Sequence, residues 1–258
     1  MIRVAVAGPR GRMGAMAVET LVTERDMLLV GVLDRKMAEH SATLGGKVPI
    51  FTDMATLAEE SKPDVLVELT THESVFRNTR DAIQEGIRPV VGTSGLTAQQ
   101  ISLLTELCRE KQIGCILAPN FSVGAALMMK FSAMAAKLMP EAEIIELHHD
   151  GKKDAPSGTA ELTARMMAES TGAAGKPAAG EEDENSGHGN RVAGIPVHSI
   201  RLPGLLSHQE VLFGGDGQLL TIRHDSFSRQ SYMTGIKLAV REVMNRTGLI
   251  SGLDKIIG

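Results

Sequence analysis

Short β-branched runs alternate with turn residues and helical stretches through the first 120 residues, and this βαβ rhythm leaves few folds open to the chain. Strands are expected at Ile2–Ala7, Leu28–Leu33, Val65–Leu69, Pro89–Val91 and Ile113–Leu117. Helices are expected to begin near Arg12, Met54, Glu73 and Thr97, the last amphipathic through Leu103, Leu104 and Leu107. Strands joined by helices pair in parallel and need cover on both faces, so the region reads as a doubly wound α/β sheet.

After Ser122 the texture changes. A methionine-rich helix, Gly124–Met139, reads as a hinge helix whose Met128, Met129, Met134 and Met139 fill core. A strand Glu143–His149, a helix Ser157–Glu169 and a loop from Thr171 to about Pro196 follow, the loop rich in Gly, Ala and acidic residues. At roughly 25 residues it is longer than compact domains usually allow, and reads as mobile or functional. Strands Val197–Arg201, Gln209–Phe213 and Leu219–His224 have no helix between them, which predicts an α+β region with an open, mixed, mostly antiparallel sheet. A final helix, Tyr232–Arg246, is expected to return to the first region. At 258 residues the chain fits two domains, expected at 1–122 plus 231–258 and at 123–230.

Composition excludes several functions. With 27 basic and 31 acidic side chains the net charge of -4 repels phosphate backbones, and six phenylalanines, one tyrosine and no tryptophan leave little to stack on bases. Nucleic acid is therefore not an expected partner. No apolar run reaches the roughly 18 residues of a membrane span, so no membrane partner is expected. Met1 leads straight into a strand with neither a basic leader nor a cleavage site, and the cytoplasm is the expected location. Cys108 and Cys115 match neither a zinc finger nor a redox dithiol and read as buried thiols.

Between the first strand and first helix, Gly8-Pro9-Arg10-Gly11-Arg12-Met13-Gly14 spaces three glycines as G-x-x-G-x-x-G. Gly8 suits a tight turn, Gly11 a close approach to a pyrophosphate and Gly14 close packing of helix on strand, with helix N–H groups facing the anion. Asp34 ends the second strand, where an acid accepts from the adenosine ribose. The alternative is a plain glycine turn beside a surface aspartate. Asp34 favours NADH, whereas Arg35 and Lys36 could hold the extra phosphate of NADPH. Two further loops, Gly92-Thr93-Ser94-Gly95 and Ala118-Pro119-Asn120-Phe121, end strands on the same edge and can line the nicotinamide half of such a cleft, although ordinary βα turns use the same residues.

The richest stretch runs from Glu146 to Ala160 and holds His148, His149, Lys152, Lys153 and the helix start Ser157-Gly158-Thr159. Consecutive side chains of a strand face opposite ways, so His148 and His149 share a site only where the strand ends. The helix start suits a carboxylate and Lys152 adds a point charge, which together describe a site for a small dianion with a proton donor. A metal pair, lacking a third ligand nearby, and a solvated charged loop are the alternatives. No metal is expected.

The chain resembles the 4-hydroxy-tetrahydrodipicolinate reductase (dihydrodipicolinate reductase) family over essentially its whole length. The family's G-x-x-G-R-M-G appears at Gly8–Gly14, G-T-[ST]-G at Gly92–Gly95, N-F-S-[VI]-G at Asn120–Gly124 and E-x-H-H-x-x-K-x-D-x-P-S-G-T-A at Glu146–Ala160. R-x-P-G at Arg201–Gly204, H-x-E-V-x-F-G at His208–Gly214 and R-H-D-S at Arg223–Ser226 complete it. The resemblance implies an N-terminal Rossmann-like domain and reduction of a cyclic imine dicarboxylate with NADH or NADPH. It implies that His148 is the proton donor with Lys152 as its catalytic partner. His149, Lys152, Gly158 and Thr159, with Ser157 at the same helix start, would bind substrate. Gly8, Pro9, Arg10, Gly11, Arg12, Met13, Asp34, Arg35, Gly92, Thr93, Ser94 and Ala118–Phe121 would contact the cofactor. It also implies a homotetramer, which the open sheet of the second domain independently favours, and hinges near Phe121–Gly124 and Ser228–Tyr232. A dinucleotide-binding sensor would need the glycine loop but not the His-His-x-x-Lys stretch, and a semialdehyde dehydrogenase of similar layout would lack that stretch as well.

Overall fold

The structure, a computed structural model, describes residues 1–35, 43–44, 48–172 and 189–257. Lys36 and residues 173–188 of the expected 171–196 loop lie outside the described residues. The described chain divides into two compact units, Met1–Phe121 with Tyr232–Gly258, and Ser122–Ser231.

The first unit opens with β1 (Ile2–Ala7), α1 (Arg12–Val22), β2 (Met27–Leu33), β3 (Thr43–Leu44), β4 (Val48–Phe51) and α2 (Met54–Ser61). It continues with β5 (Val65–Glu68), α3 (His72–Gln84), β6 (Arg88–Val91), α4 (Ala98–Lys111) and β7 (Gly114–Leu117). The strands order as β13-β7-β6-β5-β1-β2-β4-β3, with β13 (Gly248–Ser251) supplied by the far end of the chain. All neighbours run parallel except β3, which is antiparallel to β4. Val4–Ala7 and Val65–Val67 are wholly buried, as a parallel sheet covered on both faces requires. Local chemistry sets the helix starts: the Asp53 carboxylate accepts from Thr56 N–H at 2.8 Å to cap α2, and Thr97 with Gln100 closes a capping box on α4. Cys108 and Cys115 are free and buried in the α4–β7 core.

Strands β3, β4 and β13 were not expected from the sequence. Pro49 demotes Val48–Phe51 as a strand and survives there because its only other neighbour is the two-residue β3 at the edge. The last helix, α7 (Ser231–Val243), ends three residues before the expected Arg246, and the chain then turns into β13 beside β7. A Cβ on Gly235 of α7 would sit 1.9 Å from the Phe121 carbonyl oxygen, so α7 lies directly on the end of the β7 segment. Lys237 pairs with Glu24 at 2.6 Å and Arg241 with Asp26 at 2.7 Å, fastening the same helix to the α1–β2 turn.

The second unit contains α5 (Val123–Ala136), β8 (Ala142–His148), α6 (Gly158–Ser170), β9 (Asn190–Val192), β10 (Ile195–Arg201), β11 (Ser207–Gly215) and β12 (Gln218–Ser226). Its sheet orders as β12-β11-β8-β10-β9, with β8 and β10 parallel and the other neighbours antiparallel. The expected loop is thus interrupted by β9 and the start of β10. Ala136 of α5 and Ala160, Ala164 and Met167 of α6 pack on Ile144, Val197, Val211 and Phe213 of the sheet. Contrary to expectation, Met134 is not core: it is 63% exposed, because α5 buries Met128 and Met129 on its other side.

Candidate functional site

The seven parallel strands of the first unit all end on one edge, β1, β2, β5, β6 and β7 among them. At the point where the chain passes from β2 on one side of β1 to β5 on the other, the edge opens into a cleft of ≈ 440 Å³. Gly8, Arg10 and Gly11 line it from β1, Leu33, Asp34 and Arg35 from β2, and Leu69, Thr70 and Thr71 from β5, with Ser74 and Asn78 of α3 behind. Such a switch point is where open α/β sheets hold ligands.

Two glycines here serve the fold: a Cβ on Gly8 would lie 2.5 Å from the Leu69 carbonyl oxygen, and one on Gly14 2.0 Å from that of Gly8. Gly11 differs, since a Cβ there would meet protein no closer than 3.5 Å. The protein does not require a glycine at that position, and an approaching ligand backbone would. Gly11 also gives α1 no side-chain cap, so its first N–H groups are not taken by a side chain. These features fit a dinucleotide pyrophosphate.

Asp34 sits in the cleft wall, 8% exposed, and its two oxygens accept from Arg10 Nε at 2.6 Å and Nη2 at 3.1 Å. Arg10, from the glycine loop after β1, therefore pairs with the acid that follows β2. Arg35 Nη2 donates to Asn78 Oδ1 at 3.3 Å, and Asn78 Nδ2 donates to the fully buried Glu68 carboxylate at 3.1 Å. The carboxylate thus fixes which way the Asn78 amide points. Neither Glu68 nor Asn78 was singled out from sequence, although an acid closing the apolar run Val65-Leu66-Val67 was a readable anomaly. Pro9 is buried, Arg12 is exposed at the start of α1 and Met13 is half-buried, and none of the three lines the cleft. Gly92, Thr93 and Ser94 follow β6, and Ala118, Pro119, Asn120 and Phe121 follow β7. A Cβ on Gly92 would lie 2.5 Å from the Phe121 ring, so these two loops are in contact.

The second constellation lies wholly in the other unit. Strand β8 ends at His148, one residue earlier than expected, so His149 belongs to the turn in which Lys152 N–H donates to the His149 carbonyl at 3.1 Å. Lys152 Nζ donates to Asp154 Oδ2 at 2.6 Å. Helix α6 begins at Gly158, and Ser157 is its cap, with its hydroxyl accepting from Ala160 N–H at 3.2 Å. That hydroxyl accepts the cap bond and keeps its own proton to donate, and Ser157 is buried, whereas Gly158 is exposed and a Cβ on it would meet nothing within 4 Å. Glu146, wholly buried two residues before His148, accepts from His148 Nδ1 at 2.5 Å and from both terminal nitrogens of Arg201. Burial pushes its pKa up, but hydrogen bonds from His148, Arg201 and Ser199 outweigh that and hold it at about 2. Arg201 comes from β10, where it registers beside His148 in the parallel pair. Among the described residues no group of three or more His, Cys, Asp or Glu is placed to hold a metal.

A switch-point cleft suited to a dinucleotide, joined in one chain to a histidine–lysine site on a mixed sheet, defines the class: a nicotinamide-dependent oxidoreductase of two-domain build. Residues 2–121 match the family description "Dihydrodipicolinate reductase, N-terminus" and residues 124–257 its C-terminus. The chain belongs to the dihydrodipicolinate reductase family. It is 52% identical over 262 residues to the 4-hydroxy-tetrahydrodipicolinate reductase of Geobacillus kaustophilus, covering 99% of each chain. It is 51% identical over 266 residues to that of Lysinibacillus sphaericus, again covering 99% of each. The solved dipicolinate-bound dihydrodipicolinate reductase from Paenisporosarcina sp. TG-14 superposes over 100% of both chains with a TM-score of 0.89 and 45% identity. The C. glutamicum DAP dehydrogenase shares the fold alone, at 18% identity and a TM-score of 0.57 over 98% of this chain and 93% of its own.

Proposed function

We propose that the chain reduces 4-hydroxy-tetrahydrodipicolinate to tetrahydrodipicolinate, the nicotinamide-dependent step of the diaminopimelate route to lysine. The observation that carries this reading is the Glu146–Ala160 stretch, which sets His148, Lys152 and an open helix start on one strand end within a chain that matches the family throughout. Overall the substrate gains one hydride and one proton and loses one water. Reduced nicotinamide, when bound, supplies the hydride. Protonated on both nitrogens, His148 gives its proton from Nε2, since its Nδ1–H faces Glu146. Lys152 supplies a fixed cation near the negative charge that builds on the conjugated ring. His149, Lys152, Gly158 and Thr159 take the two carboxylates, with Ser157 shaping the helix start that receives one of them. The relative described as dipicolinate-bound accommodates a planar ring dicarboxylate, which is consistent with such a site.

The cofactor reading gives NADH and NADPH to the cleft of Gly8, Arg10, Gly11, Asp34 and Arg35, with the Gly92–Ser94 and Ala118–Phe121 loops toward the nicotinamide. A homotetramer is supported by the second unit's strand β12, which among the described residues is an edge, and by exposed Ile200, Leu202 and Leu219. We assign the chain to the cytoplasm, in keeping with its two free thiols. Steady-state kinetics on His148→Ala and Lys152→Ala test the mechanism. Each is expected to lower turnover by at least roughly a hundredfold while cofactor affinity stays unchanged, and near-normal turnover in either would overturn the assignment.

A further inference from the structure

Beneath the second constellation lies a group to which the proposed chemistry gives no role. Glu146 is on the inner face of β8 with its side chain wholly covered. Oxygen Oε2 accepts from His148 Nδ1 at 2.5 Å and Arg201 Nη1 at 2.9 Å, while Oε1 accepts from Arg201 Nη2 at 2.8 Å and Ser157 N–H at 3.2 Å. The one guanidinium also donates to the Asp154 carbonyl at 2.7 Å, and Asp154 in turn holds Lys152 Nζ. One carboxylate is thus tied to the strand carrying His148, to the loop carrying Lys152 and to the start of α6.

An ionised carboxylate has no proton to give, so in the neutral ring the proton beside it must sit on His148 Nδ1. That leaves Nε2 as the only ring atom able to exchange a proton with a substrate. We infer that Glu146 is a positioning residue: it locks His148 in the Nδ1–H tautomer with Nε2 as the exchanging atom, and holds the Lys152 loop through Arg201, and the α6 start through Ser157 N–H, in register with it. Arg201 keeps the carboxylate charged and oriented. The inference rests on His148 being the proton donor. Groups that orient a catalytic imidazole commonly act through its tautomer rather than through binding.

The test uses Glu146→Gln, which preserves shape. Its amide oxygen can still accept from Arg201 Nη2 and Ser157 N–H, while the amide NH₂ replaces the oxygen that faced Arg201 Nη1 and His148 Nδ1, and the neutral ring can pair with it only in the Nε2–H form. Nitrogen-15 NMR of the His148 ring, at a pH where it is neutral, should show Nδ1–H in the unsubstituted protein and Nε2–H in the variant. Turnover should fall at least tenfold, with KM for the imine within about threefold and cofactor affinity unchanged. An Nε2–H ring in the unsubstituted protein overturns the inference even if the variant does not fold, and so does a variant with undiminished turnover. His148→Ala, measured alongside, separates the two readings: full turnover there refutes the proton-donor role, while the ring tautomer still reports whether Glu146 sets the histidine.

Discussion

Arg10 decides how much of the Asp34 charge a bound ribose meets. With both carboxylate oxygens accepting from one guanidinium, repulsion of a 2′-phosphate is muted, and Arg35, held by Asn78, stands beside the same position. Both cofactors are expected to work within about tenfold of each other in kcat/KM, roughly 1.4 kcal/mol. Arg10→Ala and Arg35→Ala should each move preference toward NADH and Asp34→Ala toward NADPH, and added salt should weaken NADPH more. Kinetics with both cofactors at two salt concentrations check this, and a hundredfold preference in the unsubstituted protein would contradict it. Both residues of this pair stood out in the sequence, yet their pairing did not, because it depends on how two loops from different strands meet. Glu146 adds a pH dependence of its own. Its folded pKa of about 2 lies below the ordinary 4.5, so its stabilisation is complete above the ordinary value and is lost as pH falls toward 2. The gap in unfolding free energy between the protein and Glu146→Gln should therefore be largest near neutrality, on the order of 3 kcal/mol from the carboxylate, and close as pH drops. Urea titrations across that range measure it, and a constant gap would refute it.

At the scale of elements, two helices carry glycines in their first turns that answer to different masters. Gly14→Ala puts a methyl 2.0 Å from the Gly8 carbonyl oxygen, so α1 must back away from β1. Thermal unfolding should show a loss of about 1–3 kcal/mol, with weakened cofactor binding. Gly158→Ala places its methyl in open space at the first position of α6. Stability should change by less than about 1 kcal/mol while KM for the imine rises, and a KM left unchanged would remove Gly158 from the substrate site. The parallel strands of the first unit were legible because burial on both faces writes them as unbroken apolar runs. Strands β4 and β13 were not, since Pro49 interrupts the first, Gly248 and Ser251 leave only Leu249 and Ile250 as an apolar run in the second, and their pairing comes from partners distant in sequence. Arg201 was likewise visible only inside an R-x-P-G segment, because its partner Glu146 is 55 residues away across a parallel register that no local signal reports.

At the scale of the whole molecule, the open β12 edge and the exposed apolar side chains of the second unit predict self-association. Light scattering should return four times the 27.5 kDa chain mass, and a monomer at micromolar concentration would refute the tetramer. The first unit is built from both ends of the chain, with Ser122–Ser231 inserted between them. On the ribosome, β7 therefore emerges as a bare sheet edge, and it stays so while the entire inserted unit is made. Only when α7 and then β13 leave the exit tunnel is that edge paired. The inserted unit, whose strands are contiguous in sequence, can complete its sheet first, so a nascent chain passes through a stage in which its second unit is folded and its first is not.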